Sequence, residues 1–398
     1  MINPSANGWI EKFFIENHNN FNNYYGNIDL FYENCRTSGF IYGHIVNLSL
    51  KNKINTDALS YDEVTKLSFL TTLYNAYTLV EQNTDTIDFV NKVYDFYKII
   101  QPENLNFIKK MLPKESRSRR LETVLDNRIK TNNNIISKNF SHIITNALLF
   151  IDVLAFHYYL AEKHLPQDYL KTLETDCIKL LSVALNLKTN KSKYDELLIK
   201  LFENSIRYTQ FSNIQNININ EIELDYYKYL IEKYYLLDIT EMALWSDEVL
   251  EQTEKELLEV ITKKLQLQIP QMEKSNLLID NFIREHKNNI QFFNYSNPIK
   301  HFYEQTNATV SKLIIRNKKR LLKELKESKE LMFLLAKSTK TDLSKDEKRK
   351  MKKQLLDICK TIPSLTIFLL PGGGLLLPIL IKFIPQLLPS AFNENLDD

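Results

Sequence analysis

Glycine is nearly absent from this chain: there are seven copies in 398 residues, and three of them are consecutive at Gly372, Gly373 and Gly374. Tight turns and phosphate-cradling loops use glycine because it enters left-handed backbone conformations without steric cost. A doubly wound nucleotide-binding fold needs many such turns, and this sequence argues against one. Leu, Lys, Glu, Ile, Asn and Tyr dominate instead, a composition that favours helices. The reading is a mostly α protein, a multi-helical array ending in a broken, Pro/Gly-interrupted hydrophobic segment. The length allows two or three domains, and 44% hydrophobic residues allow a sizeable core.

Whole-chain charge names no partner, since charged residues are 25% and the net is +2. Cys35, Cys177 and Cys359 are too widely spaced for a metal motif and cannot all pair, which points to a reducing compartment. The opening stretch through Trp9 and Phe14 has no basic run followed by an apolar one, so no secretory signal is expected and synthesis is cytoplasmic. There is no His-Glu-x-x-His, glycine-rich phosphate loop, Gly-x-Ser-x-Gly elbow or cysteine pair. No catalytic, cofactor or metal residues are named, and a non-enzymatic protein is expected.

Residues 1–300 read as a helical region. Trp9, Ile10, Phe13 and Phe14 share one helical face after an Asn3-Pro4-Ser5 start, and Phe31, Tyr32, Phe40, Ile41 and Tyr42 continue an aromatic core pattern. The basic excess over 108–130, with Arg117, Arg119, Arg120 and Arg128, reads as a solvated loop and helix start. Asp152, His157, Glu162 and His164 would place both histidines on one face of a single helix. Further ligands at the required spacing are lacking, however, since Ala161 stands four residues after His157. His157 is therefore expected in the core and His164 at the surface.

Tyr226 to Asp247 is expected as an apolar-striped helix. A second helix follows from Glu251 to Leu267, capped by Thr253 or Asp247, with Glu254 and Glu256 near its positive end. The spacing of Ala243, Asp247 and Glu254 ahead of a Leu-rich helix resembles the tellurite-resistance B-like domains. That resemblance implies helical units near 140–190 and 220–268, and an acidic turn able to touch a cation.

Residues 301–393 differ in character. Between 312 and 353, sixteen Lys and Arg face six acids, a local net of +10 that leaves −8 elsewhere. Leu321, Leu322, Leu325, Met332, Leu334 and Leu335 supply an apolar stripe. Ser344 and Glu347 form a capping box, so a helix starts near 345 and runs through Met351, Leu355, Leu356 and Ile358 to Pro363. Lys348, Arg349, Lys350, Lys352 and Lys353 are its basic surface. From Ile362 to Ile381 no residue is charged, a length that would rise about 30 Å as a helix. Pro363, Pro371, Pro378, Pro385, Pro389 and the three glycines interrupt it, so 362–388 is expected as two short helices broken at 371–374. Such a segment can insert in lipid or pack in a soluble core. The basic region before it can sit on anionic head groups or bind RNA phosphates.

Leu343-Ser-Lys-Asp-Glu347, the basic helix, Ile362-Pro363, Pro371, Leu376-Leu377-Pro378, Lys382, Pro385 and Leu388-Pro389-Ser390-x-Phe392 resemble the leucine zipper/EF-hand-containing transmembrane (Letm-like) family over about 310–392. The size and ending resemble a bacterial, biofilm-associated branch. The resemblance implies either cation/proton exchange across a membrane or ribosome association during membrane-protein biogenesis. It places Gly374 where mitochondrial members carry a glutamate, leaving Lys382 as the ionisable group of the segment, and exchange through one such segment would need a homo-oligomer. It also places the family's ribosome-binding-like domain, zipper and EF-hand after the Leu-Pro-Ser motif, beyond this sequence. The expectation is a protein at the cytoplasmic face of the inner membrane, with lipid contacts through 362–388 and the ribosome as an alternative partner.

Overall fold

A computed structural model describes residues 2–102, 105–106, 114–129, 148–187, 217–245, 251–286, 310–362, 365, 380, 381 and 384. Among them the chain is mostly α and multi-helical with no named strand. One isolated antiparallel bridge joins Phe21 and Leu50. The helices are α1 (Trp9–Asn17), α2 (Ile28–Ser38), α3 (Tyr61–Glu81), α4 (Thr86–Ile100), α5 (Arg117–Ile129), α6 (Phe150–Glu162) and α7 (Tyr169–Leu187). They continue with α8 (Leu230–Leu244), α9 (Gln252–Lys264), α10 (Ile269–His286), α11 (Lys318–Glu327), α12 (Lys329–Lys340) and α13 (Lys345–Thr361).

α1 buries Trp9, Ile10, Phe13 and Phe14. Its start differs from the Asn3-Pro4-Ser5 reading. The N-cap is Gly8, whose side-chain-free backbone leaves the first amides without a local acceptor. Glu122 of α5 supplies one, accepting from Gly8 N and Ile10 N at 3.1 Å each. A long-range carboxylate thus replaces the local Ser or Asn cap. α2 ends at Gly39 in the left-handed region (φ +76°), where an added Cβ would lie 1.9 Å from the His44 carbonyl oxygen. Only glycine fits there.

α3 and α8 are enclosed on all sides, so they carry no amphipathic stripe. α3 packs on α6, and α8 packs on α7, α9 and α10. The threonines of α3 remain satisfied because Thr65, Thr71 and Thr72 donate to the carbonyls of Tyr61, Leu67 and Ser68. The expected helix from Tyr226 is corrected: α8 begins at Leu230, after a non-helical stretch in which Tyr226 and Tyr227 both donate to Asp176 of α7. The cap of α9 is also corrected. Glu251 is the N-cap, and Glu254 reaches back to its amide at 2.9 Å. Thr253 lies inside the helix, and Asp247 lies outside the described residues.

Two buried ion pairs tie these helices together. Arg36 of α2 donates to Asp238 of α8 from Nε at 2.8 Å and Nη2 at 2.7 Å, and Tyr32 donates to the same carboxylate at 3.0 Å. The guanidinium also lies over the rings of Tyr32 and Tyr234. Arg128 of α5 pairs with Asp152 of α6, which also accepts from Tyr97 of α4 at 2.9 Å. Arg128 is thus a core residue, not part of a solvated helix start.

Ser275 of α10 completes the first pair. Its Oγ sits 2.5 Å from both Asp238 Oδ1 and Glu241 Oε2, and it accepts from Arg36 at 2.9 Å. One hydroxyl proton cannot serve two carboxylates. Burial, with the Asp238 charge added, pushes the Glu241 carboxyl well above its ordinary range. Glu241 therefore carries a proton and donates it to Ser275, which donates to Asp238.

A second apolar cluster gathers Val310, Leu313 and Ile314 from the helical stretch 310–316 with Leu321, Leu325, Leu331, Leu335, Met351, Leu355 and Cys359. The basic region before 345 is not one helix. Ser328 separates α11 from α12 and accepts from Leu331 N at 3.4 Å.

The protonation of Glu241 is testable. Asp238→Asn strands the buried Arg36 charge and should cost about 3–5 kcal/mol in urea unfolding. Glu241→Gln replaces a group that is already neutral when folded. The unfolded glutamate ionises above roughly pH 4.3, so the wild type loses stability as pH rises from there toward the folded pKa. The Gln variant does not share this loss. Its stability relative to wild type should climb by about 1.4 kcal/mol per pH unit over that window. A parallel pH dependence of the two proteins would contradict the assignment.

Candidate interaction surface

α13 is fixed first by its own N-terminus. Ser344 N donates to Glu347 Oε2 at 2.9 Å, and Glu347 N donates to Ser344 Oγ at 3.3 Å. Lys337 of α12 donates to the other Glu347 oxygen at 2.7 Å. These bonds hold the Glu347 carboxyl down at about 2, with Lys337 the larger cause and the Ser344 amide next. On the flank against α12, Glu330 accepts from Lys350 at 3.2 Å and from Gln354 at 2.6 Å, while Ser328 donates to Gln354 at 3.0 Å.

Helical periodicity divides the rest. Met351, Leu355 and Ile358 enter the second cluster. Along the neighbouring flank, Lys345, Arg349, Lys352, Lys353 and Lys360, all exposed, surround Leu356, which is half-buried against that cluster. The stripe runs about 22 Å along the axis at ~1.5 Å per residue. Lys360 pairs with Asp357 at 2.6 Å, whereas Arg349, Lys352 and Lys353 form no ion pair with a described residue. Lys348 is exposed and 3.9 Å from Asp342, itself fully solvated. Of the five basic residues read from sequence, Lys350 is committed to α12 and Lys348 sits at the edge. Arg349, Lys352 and Lys353 are exposed and form no ion pair among the described residues, although Lys353 lies close enough to Asp357 to help hold its carboxyl down. The apolar side of α13 is consumed internally, leaving a cationic face suited to anions.

Pro363, Pro371, Gly372, Gly373, Gly374, Pro378, Lys382, Pro385 and Pro389 lie outside the described residues, as does the expected helix break at 371–374. Between and beside them, Leu365, Leu380 and Ile384 are fully buried in the same cluster as Leu355. No helix among the described residues is long and apolar enough to cross a membrane.

Other residues singled out by sequence are dispersed. Asp152 is engaged by Arg128 and Tyr97. His157 is buried edge-on to Tyr229, and desolvation lowers its pKa to about 4. Glu162 accepts from Lys228 and Tyr229, and His164 lies past the end of α6. No group of three or more His, Cys, Asp or Glu able to hold a metal occurs among the described residues.

Sequence reasoning missed Arg316. Counted with the solvated basic run, it is nearly buried. It donates to Glu63 of α3 from Nη1 at 2.6 Å and Nη2 at 2.7 Å. No local signal distinguishes it from Lys318 or Arg320, because its acceptor is 253 residues away.

The cap predicts a specific titration. The folded carboxyl of Glu347 lies below its unfolded value, so its stabilising effect is complete above the unfolded pKa and is lost as pH falls through the folded one. By NMR, its side-chain carboxyl carbon should titrate near pH 2, with the first turn of α13 fraying in step. Titration near pH 4.3 would mean that the Lys337 and Ser344 bonds do not hold in solution.

Comparison with known proteins bears on this same unit. Residues 343–398 match the protein family described as LETM1-like, RBD. The sequence reading is corrected here: it placed the family's ribosome-binding-like domain beyond the Leu-Pro-Ser motif, whereas the match begins at the α13 capping box and includes that motif. A stretch of 74 residues, 19% of this chain, is 35% identical to the LETM1 domain-containing protein mdm28, mitochondrial, of Schizosaccharomyces pombe. It spans 15% of that relative's length. No solved structure matches the chain. These findings support the Letm-like reading, and the C-terminal unit is similar, over residues 343–398, to the LETM1-like RBD.

Proposed function

We propose that this chain is a non-enzymatic docking protein whose Letm-like C-terminal unit binds the ribosome through the basic face of α13. The observation that carries the reading is the exposed cationic stripe of Arg349, Lys352 and Lys353, with Lys345 at its edge, inside the segment that matches an RBD family. A row of positive charges gains affinity for a phosphate-rich surface by releasing counterions, and the same physics makes binding salt-dependent. α1 to α10 form the larger body, available to a second, protein partner.

Arg349→Gln/Lys352→Gln/Lys353→Gln should weaken co-sedimentation with ribosomes and lower the slope of log affinity against log salt by about 2–3. Helical content should be unchanged, because none of the three side chains enters the core. Unaltered affinity and slope would overturn the reading.

Membrane docking is the second reading, favoured by the uncharged run from Ile362 to Ile381. On this reading the stripe lies on anionic head groups at the cytoplasmic side of the inner membrane, each charge adding about 1 kcal/mol. A chain ending at Lys360 separates the cases. If the segment inserts, the truncated protein stays folded and stops binding anionic vesicles. If Leu365, Leu380 and Ile384 are core, it exposes apolar surface and aggregates. Cation/proton exchange is less favoured because residues 362–381 contain no acid to couple the two ions. A role in biofilm or cell-envelope processes rests on the resemblance of the terminal motifs to the bacterial branch.

A further inference from the structure

The described apolar residues fall into separate clusters. The large one is built from α1 to α9 with the start of α10, and another is confined to residues 310–384. In the 310–316 stretch, Val310, Leu313 and Ile314 face the second cluster, and Ile315, the residue before Arg316, is 64% exposed. Among the described residues, a polar contact bridges this joint to the larger body. It is the bidentate bond from Arg316 to Glu63, whose side chains are 11% and 1% exposed.

The acceptor is preorganised. Glu63 is the third residue of α3 and takes Ser60 N at 2.9 Å in the helix's own capping box. Ser5 donates to its other oxygen at 2.6 Å. The receptor for the guanidinium thus stays in place whether or not Arg316 is bound. The donor is less well satisfied, because Arg316 Nε is buried without a hydrogen-bond partner among the described residues. A desolvated ion pair of this kind fixes register strongly but adds little net stability over an apolar joint. Motion between bodies is the default unless a large apolar interface forbids it.

We propose that the Arg316–Glu63 pair is a releasable latch that holds the C-terminal unit against the α3 N-terminus, and that the unit swings away intact when the pair is broken. This goes beyond the ribosome reading and does not depend on it. The latch sets whether the basic face of α13 is presented at a fixed angle to the larger body or independently of it.

The test uses the full-length protein with nitroxide labels on cysteines placed at exposed Ile87 and Lys352. The native Cys35, Cys177 and Cys359 are buried, so labelling is selective. Pulsed EPR should give a narrow distance distribution in the wild type. Arg316→Gln should shift it to longer distance and broaden it, with helical content retained. Glu63→Gln should do the same, because glutamine still reaches back to Ser60 N and keeps the α3 cap. The double variant should be no broader than either single one, as expected when both mutations remove one interaction. Lys319→Gln, a charge loss at an exposed neighbour, should leave the distribution unchanged. An unchanged distribution in both Gln variants would overturn the latch. Loss of C-terminal helix in both would also overturn it, by showing that the pair is needed for folding rather than for attachment.

Discussion

The centre of the larger body is organised by a buried charge pair, Arg36 with Asp238. α8 is enclosed on all sides, and Asp238 sits on it 1% exposed. An unpaired carboxylate there would be very costly, so the position is tenable only if a cation arrives from another helix. Arg36 brings α2 into register, Tyr32 orients beside it, and Ser275 draws in α10. The protonated Glu241 then closes the chain of donors. Five polar groups from three helices therefore have one arrangement in which nearly every proton is shared, whereas apolar packing alone would tolerate several.

Arg128 with Asp152 and Tyr97 repeats the device between α4, α5 and α6. Glu122 extends it in a different form, using a side-chain carboxylate to cap α1 from more than a hundred residues away. In each case an ionised group is removed from water and given charge-assisted partners on another element. The body is specified by these crossings at least as much as by its aromatic core, which packs through tilted and edge-on rings such as Phe14, Phe21 and Tyr74.

The C-terminal unit follows a different logic. Its helices are short and rich in lysine, and most of their apolar residues enter a small core of their own, with Phe333 of α12 left exposed. What remains outward on α13 is charge. This fits a docking role and explains why the same sequence allows a lipid or a nucleic-acid partner: both present phosphates, and a lysine stem discriminates poorly between them. The similarity to the LETM1-like RBD covers this unit, while the body of α1 to α10 lies outside the matched residues.

Local chemistry by itself determined a good deal here. Scarce glycine and abundant helix formers pointed to a mostly α, multi-helical chain. The spacing of Trp9, Ile10, Phe13 and Phe14 gave the buried face of α1, and Ser344 with Glu347 gave the start of α13, because caps and periodicity are set by residues within a turn or two of each other. The terminal prolines and Leu-Pro-Ser motif gave the Letm-like resemblance. Tertiary structure alone decided which charges are buried. Arg36, Arg128 and Arg316 look in sequence like Arg117, Arg120 and Arg320, yet the first three are held in the interior by carboxylates distant in the chain. Glu122 capping α1, Glu241 holding a proton and Arg316 reaching α3 all depend on distances that exist only after folding. Burial, not residue type, sets the cost of a charge and therefore its role.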